Sequence, residues 1–323
     1  MAAHAQHDHG AGARLAPEEA VGLTRGVARL SVAVALILVS VKLWAWLVSG
    51  SVALLSSFVD SGLDLAASIF TLLAVGYAAQ PPDRAHRYGH GKAEAFAGLF
   101  QAGLVAVSAV LIVIEAIRRL IAPQPIAHGG EGLVVMIVSI ALTSWLVWMQ
   151  SRALARTGSL ATAGDRAHYM SDLATNLVAM LGLAAGAFFQ ITWIDAGAGL
   201  FIAAWLGYGA WEVARGAADH LMDREMADAD RDRIRALALE DANLRGVHDL
   251  RTRMSGPIIH IQFHADLDPE ITLDAAHKIV VAAENRIRQA YPAADIIIHP
   301  DPGDRAEPHG HEYFSEGLRA GGG

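Results

Sequence analysis

Six apolar stretches, at roughly 27–48, 52–78, 94–121, 131–151, 164–189 and 194–215, fill the first two thirds of the chain. Each is at least 21 residues long, which as a helix spans about 30 Å, the thickness of a bilayer's hydrocarbon core. The pattern therefore predicts six transmembrane helices. Ser49-Gly50-Ser51, the segment with Pro123 and Pro125, and Gln190-Ile191-Thr192 punctuate them as turns. Lys and Arg gather on alternate connections: Arg14, Arg25 and Arg29; Arg84, Arg87 and Lys92; Arg152, Arg156 and Arg166. Arg118 and Arg119 are the exception. Basic residues stay on the cytoplasmic side, so both termini are expected there. Trp44, Trp46, Trp145, Trp148 and Trp193 lie near segment ends, as interfacial anchors do.

The period changes after Met222. A charged linker leads into a helix near 228–241, a strand at 247–254, a turn at Ser255-Gly256-Pro257 and a strand at 258–267 with alternating Ile259, Ile261 and Phe263. A helix at 272–291 and a strand at 294–299 follow, giving the order αββαβ, a small two-layer α+β domain. The expected organisation is a disordered tail over 1–26, a six-helix membrane domain over 27–221, a cytoplasmic α+β domain over 222–302 and a disordered tail over 303–323.

Composition narrows the function. Hydrophobic residues make up 53% and charged residues 18% of the 323, too apolar for an ordinary soluble domain. A net charge of −8 offers no basic footprint for nucleic acid. With no cysteine present, disulfides, thiolate sites and Cys nucleophiles are excluded. The N-terminal segment has no apolar core of a signal peptide. Its His4, His7 and His9, like His309 and His311 at the other end, read as tail residues with at most weak metal-collecting ability.

The chemistry sits where it is least expected. Asp60 and Asp64 lie inside the second apolar stretch, four residues apart and so on one helix face. An aspartate at that depth costs ~2.5–3.5 kcal/mol on insertion scales, which a bound cation or a proton relieves. His168 and Asp172 repeat the spacing at the fifth stretch. Two such faces meeting would close a four-coordinate site of three oxygens and one nitrogen, acceptable to Zn²⁺. Asp83, His86 and His90 in the second connection read, on the residues alone, as a solvated turn. His248, His264, His277, His299 and Asp301 in the soluble domain each read as ordinary surface groups, with His264 off the core face, and so does His260. Lys42, Gln101 and Glu115 are accounted for by snorkelling or bundle-facing hydrogen bonds.

In these motifs the chain resembles the cation diffusion facilitator family, in its bacterial zinc and ferrous-iron efflux branch, over about residues 25–302. Asp60-x-x-x-Asp64, His168-x-x-x-Asp172 and Gly89-His90-Gly91-Lys92-x-Glu94 agree in order and spacing. The resemblance implies that Asp83, His86 and His90 form a loop metal site. It also implies that His248, His264, His277, His299 and Asp301 bind metal where two cytoplasmic domains pair, and that Lys92 and Asp223 interlock helices near the dimer interface. Pro300 departs from the polar residue expected there. The implied soluble domain is ferredoxin- or metallochaperone-like. The implied function is a homodimeric, proton-coupled exporter of Zn²⁺, with Fe²⁺ and Cd²⁺ as further cargo, in the bacterial inner membrane and its lipid. Zn²⁺ would also serve structurally in the soluble domain. A metal sensor without transport is the alternative. An intramembrane metalloenzyme is disfavoured, because no His-Glu-x-x-His occurs.

Overall fold

A computed structural model of the chain describes residues 15–50, 52–121, 130–189 and 192–303. The tail histidines, the turn prolines Pro123 and Pro125, and Gln190-Ile191 fall outside them. The chain divides into two compact units, Glu18–Leu221 and the part beginning at Met222.

The first unit is six long helices: α1 (Pro17–Ser49), α2 (Val52–Ala78), α3 (Ala93–Ile121), α4 (Gly130–Thr157), α5 (Leu160–Phe189) and α6 (Thr192–Leu221). Among the described residues, α1 to α4 are long and apolar enough to cross a membrane. Helix ends outrun the apolar stretches. α1 begins ten residues before the expected start and inside the expected tail, with Pro17 in its first turn and Glu18 and Glu19 beside it, residue types that suit a helix N-terminus. The charged connection expected between the fourth and fifth stretches is also helical at both ends. It shrinks to Gly158, whose φ of +63° suits a helix-ending glycine, and Ser159, whose hydroxyl accepts from the Thr162 amide. Hydropathy marks where lipid ends; backbone hydrogen bonding continues past that point.

The bundle is apolar outside and polar inside. Leu63, Leu73, Leu111 and Phe201 are each at least 60% exposed, while Ser31, Ser61, Ser68, Thr71, Gln101, Gln150, Asp165 and Ser171 are buried. Lipid solvates the first set, and the second must find partners within the protein. Helices α3, α5 and α6 pack closest to one another. Small residues permit it: a Cβ on Gly98 would stand 2.7 Å from the Leu160 carbonyl oxygen, and one on Gly164 would stand 2.9 Å from Gly98 Cα. Helix α1 joins through side chains, with Val34 and Leu38 against Leu146, Val147 and Tyr169, and Arg25 donating to the Gly76 carbonyl at 3.0 Å.

The second unit has the order read from the sequence: α7 (Asp228–Ala238), β1 (Gly246–Ser255), β2 (Ile258–Leu267), α8 (Leu273–Ala290) and β3 (Ala294–Pro302). The sheet order is β1-β2-β3, with β1 antiparallel and β3 parallel to the central β2. Ile259, Ile261 and Phe263 alternate onto the face covered by Ala276, Val280, Ala283 and Ile287 of α8, and Thr272 caps that helix by accepting from the Ala275 amide. Strand β3 runs three residues past the expected end. Pro300 is tolerated because β3 is an edge strand and needs no donor on its open side.

Replacing Gly98 with Ala forces α3 and α5 apart. Overpacking of this kind costs about 1–3 kcal/mol, so Gly98→Ala is expected to lower the melting temperature in detergent. Gly103→Ala on the same helix, where no described residue stands within 4 Å of the added Cβ, is expected to leave it unchanged.

Candidate metal centres

Helices α2 and α5 cross where Ser68 and Tyr169 share a 2.7 Å hydrogen bond, and the Tyr169 hydroxyl also donates to the Ser31 carbonyl at 3.3 Å. One turn away, the buried His168 holds Nε2 3.0 Å from Asp64 Oδ1 and 3.7 Å from Asp172 Oδ2. Ligands of a tetrahedral zinc, each 2.0–2.2 Å from the metal, stand about 3.4 Å apart, so this trio is spaced for a small cation. Among the described residues His168 Nδ1 has no hydrogen-bond partner, which leaves the imidazole oriented by its carboxylates. Asp60, one turn before Asp64 on α2, stays outside the group of three whose ligand atoms all lie within 4.8 Å.

The connection between α2 and α3 is largely exposed, with Asp83 and His86 open to solvent, yet it is tied together by its own hydrogen bonds. Asp83 Oδ1 accepts from the amides of Ala85 (2.7 Å) and His86 (2.6 Å), closing a local turn, and Gly89 at φ +79° reverses the chain. The result sets His86 Nδ1 3.5 Å and His90 Nε2 3.4 Å from Asp83 oxygens. His90 is buried against Tyr77 at a ring separation of 4.6 Å. The His86 amide above all holds the Asp83 carboxyl below its usual range, helped by the Ala85 amide and the His86 imidazole against the opposing effect of desolvation.

In the soluble unit the sheet itself assembles a third cluster. His264 on β2 pairs across β1 with His248 and across β3 with His299. A bulge follows immediately on β1 between His248 and Arg251, with Asp249 at φ +49°, re-aiming that strand as bulges do. Asp301 is the hub: its Oδ2 lies 2.8 Å from His264 Nδ1 and 3.2 Å from His248 Nε2, and its Oδ1 3.2 Å from His299 Nε2. Burial pushes the Asp301 carboxyl up, but the hydrogen bond from His264 and the charges of the three imidazoles outweigh it and hold it low.

Two families of sequence model match the chain. The cation efflux transmembrane domain matches residues 28–222, and the cation efflux protein cytoplasmic domain matches residues 226–303. The chain belongs to the cation efflux family. A cation-efflux pump FieF of Shewanella oneidensis is 42% identical over 85% of this chain and 92% of its own length. The FieF of Cronobacter sakazakii is 37% identical over 83% of this chain and 89% of its own. A solved chain of CzrB in its Zn form is 30% identical over 27% of this chain and 99% of that one, with a TM-score of 0.25. The relatives are pumps, so this cation efflux protein is a membrane-bound transporter of metal cations and not an enzyme.

Other residues singled out in the sequence lie apart from these clusters, and His260 departs from its reading. His277, on α8, is exposed and lies outside the group formed by His248, His264 and Asp301. His260 is not a surface residue: it is buried, with Nδ1 3.1 Å from Asp295 Oδ2. Desolvation lowers its pKa, against the opposing pull of Asp295. Lys92 Nζ donates to the Leu221 carbonyl at 3.3 Å, and Asp223 Oδ1 stands 3.5 Å from Arg253 Nη1. Residues that the motifs left unassigned also converge in the membrane unit. Asp165 accepts from Gln150 Nε2 at 2.8 Å and Gln101 Nε2 at 3.3 Å, and buried Glu94 accepts from Ser159. Their signal was a polar residue inside an apolar stretch, which alone does not name its partner.

Metal at the cytoplasmic cluster competes with protons for its imidazole nitrogens. Because the Asp301 carboxyl is held low, it stays ionised throughout that titration. Its ion pairs contribute stability at neutral pH that is lost only as pH falls through the depressed value. Zinc affinity at this cluster is therefore expected to drop between pH 7.5 and 5.5 with a midpoint set by the histidines. Asp301→Asn should weaken zinc at pH 7.5 by at least about tenfold without moving that midpoint, read by competition with a chromophoric chelator.

Proposed function

We propose that this chain is a homodimeric antiporter that moves Zn²⁺ out of the cytoplasm in exchange for protons across the bacterial inner membrane. Its membrane domain spans about 27–221, its cytoplasmic domain about 222–302, and both termini face the cytoplasm. The observation that carries the reading is the convergence of Asp64, His168 and Asp172 from two helices within an apolar-surfaced bundle. Three ionisable groups in lipid call for a cation or protons to neutralise them. Asp60, one turn away on the same face of α2, supplies the fourth ligand when the metal draws it in.

Coupling then follows from the ligands themselves. Metal and protons bind the same lone pairs, so metal affinity falls as the groups protonate. Facing the cytoplasm, the deprotonated site takes Zn²⁺. Facing the more acidic outside, protons return to the same lone pairs and displace the metal, with His168 as their carrier. Rigid-body rocking of helices around a mid-membrane site exposes it to each side in turn. α5 and α6, which share the bundle, complete the six spans.

One imidazole among carboxylates favours Zn²⁺ over Mg²⁺ or Mn²⁺, with Fe²⁺ and Cd²⁺ as further cargo. The cytoplasmic domain pairs two copies of the chain, and exposed His277 of each copy serves at that pairing. Metal bound by His248, His264, His299 and Asp301 tightens the dimer and biases transport when cytoplasmic metal is high, through its higher affinity for one state. The loop site at Asp83, His86 and His90 delivers or senses the cargo.

The test is Zn²⁺ flux into proteoliposomes under an imposed pH gradient. Wild type is expected to transport, Asp64→Ala to fall to background, and His168→Asp to gain Mn²⁺ or Cd²⁺ flux. Tight zinc binding with no flux in wild type would identify a sensor instead.

A further inference from the structure

Lys42 lies in the most hydrophobic part of α1, seven residues before its end at Ser49, about 10 Å along the axis. A lysine that near a helix end ordinarily extends along the helix to reach water. This one turns inward. Its Nζ donates to Ser61 Oγ on α2 at 2.6 Å, and Ser61 is 1% exposed and stands between Asp60 and Asp64 in sequence. Ser61 follows Asp60 directly and stands three residues before Asp64, so the ammonium it holds lies at the turn of α2 that carries both carboxylates. A serine hydroxyl satisfies one of its donors but none of its charge. The carboxylates of the site supply the match.

The geometry points to Lys42 as a tethered counter-cation of the membrane metal site, held on Ser61, that sets the site's charge to suit a divalent cation. This rests on the transport reading of that site. The ammonium offsets one unit of the negative charge that Asp60, Asp64 and Asp172 bring to the site, which brings that charge nearer to the one a dication neutralises. Without Lys42 the site is one unit more negative, so it holds a bound dication more tightly and releases it more slowly. The same positive charge opposes the metal, keeping its affinity low enough for release. The serine tether holds the ammonium away from the ligand oxygens, so that it shapes the field without taking the metal's place.

The experiment measures initial Zn²⁺ uptake against Zn²⁺ concentration, using the full chain in proteoliposomes. It compares wild type with Lys42→Gln, Lys42→Arg and Ser61→Ala, and follows the melting temperature of each. Lys42→Gln is expected to lower KM about tenfold, as loss of a nearby opposing charge does, and to lower the maximal rate as release slows. Lys42→Arg keeps the charge and should stay within about twofold of wild type. Ser61→Ala frees the ammonium to pair with the carboxylates and should raise KM severalfold. Loosened packing alone would not move KM in opposite directions in Lys42→Gln and Ser61→Ala.

An unchanged or raised KM in Lys42→Gln overturns the proposal, as does Lys42→Arg behaving like Lys42→Gln. If Lys42→Gln does not fold, Ser61→Ala decides: a raised KM at an unchanged melting temperature supports the tether, and an unchanged KM overturns it. Absence of flux in the wild type would sink the transport reading instead. Zn²⁺ dissociation constants of the same variants, on an Asp301→Asn background that weakens the cytoplasmic cluster, then test the counter-cation with the same expected signs.

Discussion

The cost of keeping ionised groups out of water governs the membrane unit. Asp64, His168 and Asp172 meet at the α2–α5 crossing, and around them the bundle reverses the ordinary arrangement of a soluble protein. Hydroxyls and amides turn inward to Ser31, Thr71, Gln101 and Gln150, and leucines and phenylalanines turn outward to lipid. Each buried polar group needs a partner where water is scarce. The network that joins Gln101 and Gln150 to Asp165 therefore runs through the same helices that carry the ligands. Polar partnering and ligand placement here draw on one set of helix crossings.

Close approach is the second constraint. Lipid gives apolar helices little reason to associate, so contact distance has to supply the attraction. Gly98 and Gly164 let α3 and α5 touch backbone to backbone, and α5 is the helix bearing two of the three clustered ligands. The soluble unit uses the opposite device. There an apolar sheet face packs on α8 in water, and the other face of the same strands is free to carry His264, His299 and Asp301.

Most of the architecture was legible in the chain because two periods dominate it. Long apolar stretches gave the helices, and the alternation of Ile259, Ile261 and Phe263 gave β2 and the side on which His264 would lie. The i, i+4 pairs gave the ligand faces, since that spacing fixes relative direction on any helix. What escaped was whatever depends on a partner distant in sequence. Asp165 was visible as a residue, but its glutamines lie on α3 and α4. Lys42 read as a snorkelling lysine, because nothing local reveals that Ser61 stands beside it. The bulge that seats His248 beside His264 is set by a strand-pairing register and a left-handed Asp249, for which alternation carries no signal. His260 looked like a surface group because Asp295, its partner, arrives on another strand.

The turn at Gly158-Ser159 carries a mechanical consequence. It is too short to act as a hinge with slack, and the helices it joins are pinned again by Gln150 to Asp165 and by Arg166 to Ser151 at 2.7 Å. α4 and α5 therefore form one stiff lever. Trp145 and Trp148 protrude from α4, with Arg152 over the Trp148 ring at 5.0 Å. Any displacement of His168 and Asp172 drags these indoles through the surrounding lipid. The bilayer that surrounds those indoles is thereby coupled mechanically to the helix that carries two of the clustered ligands.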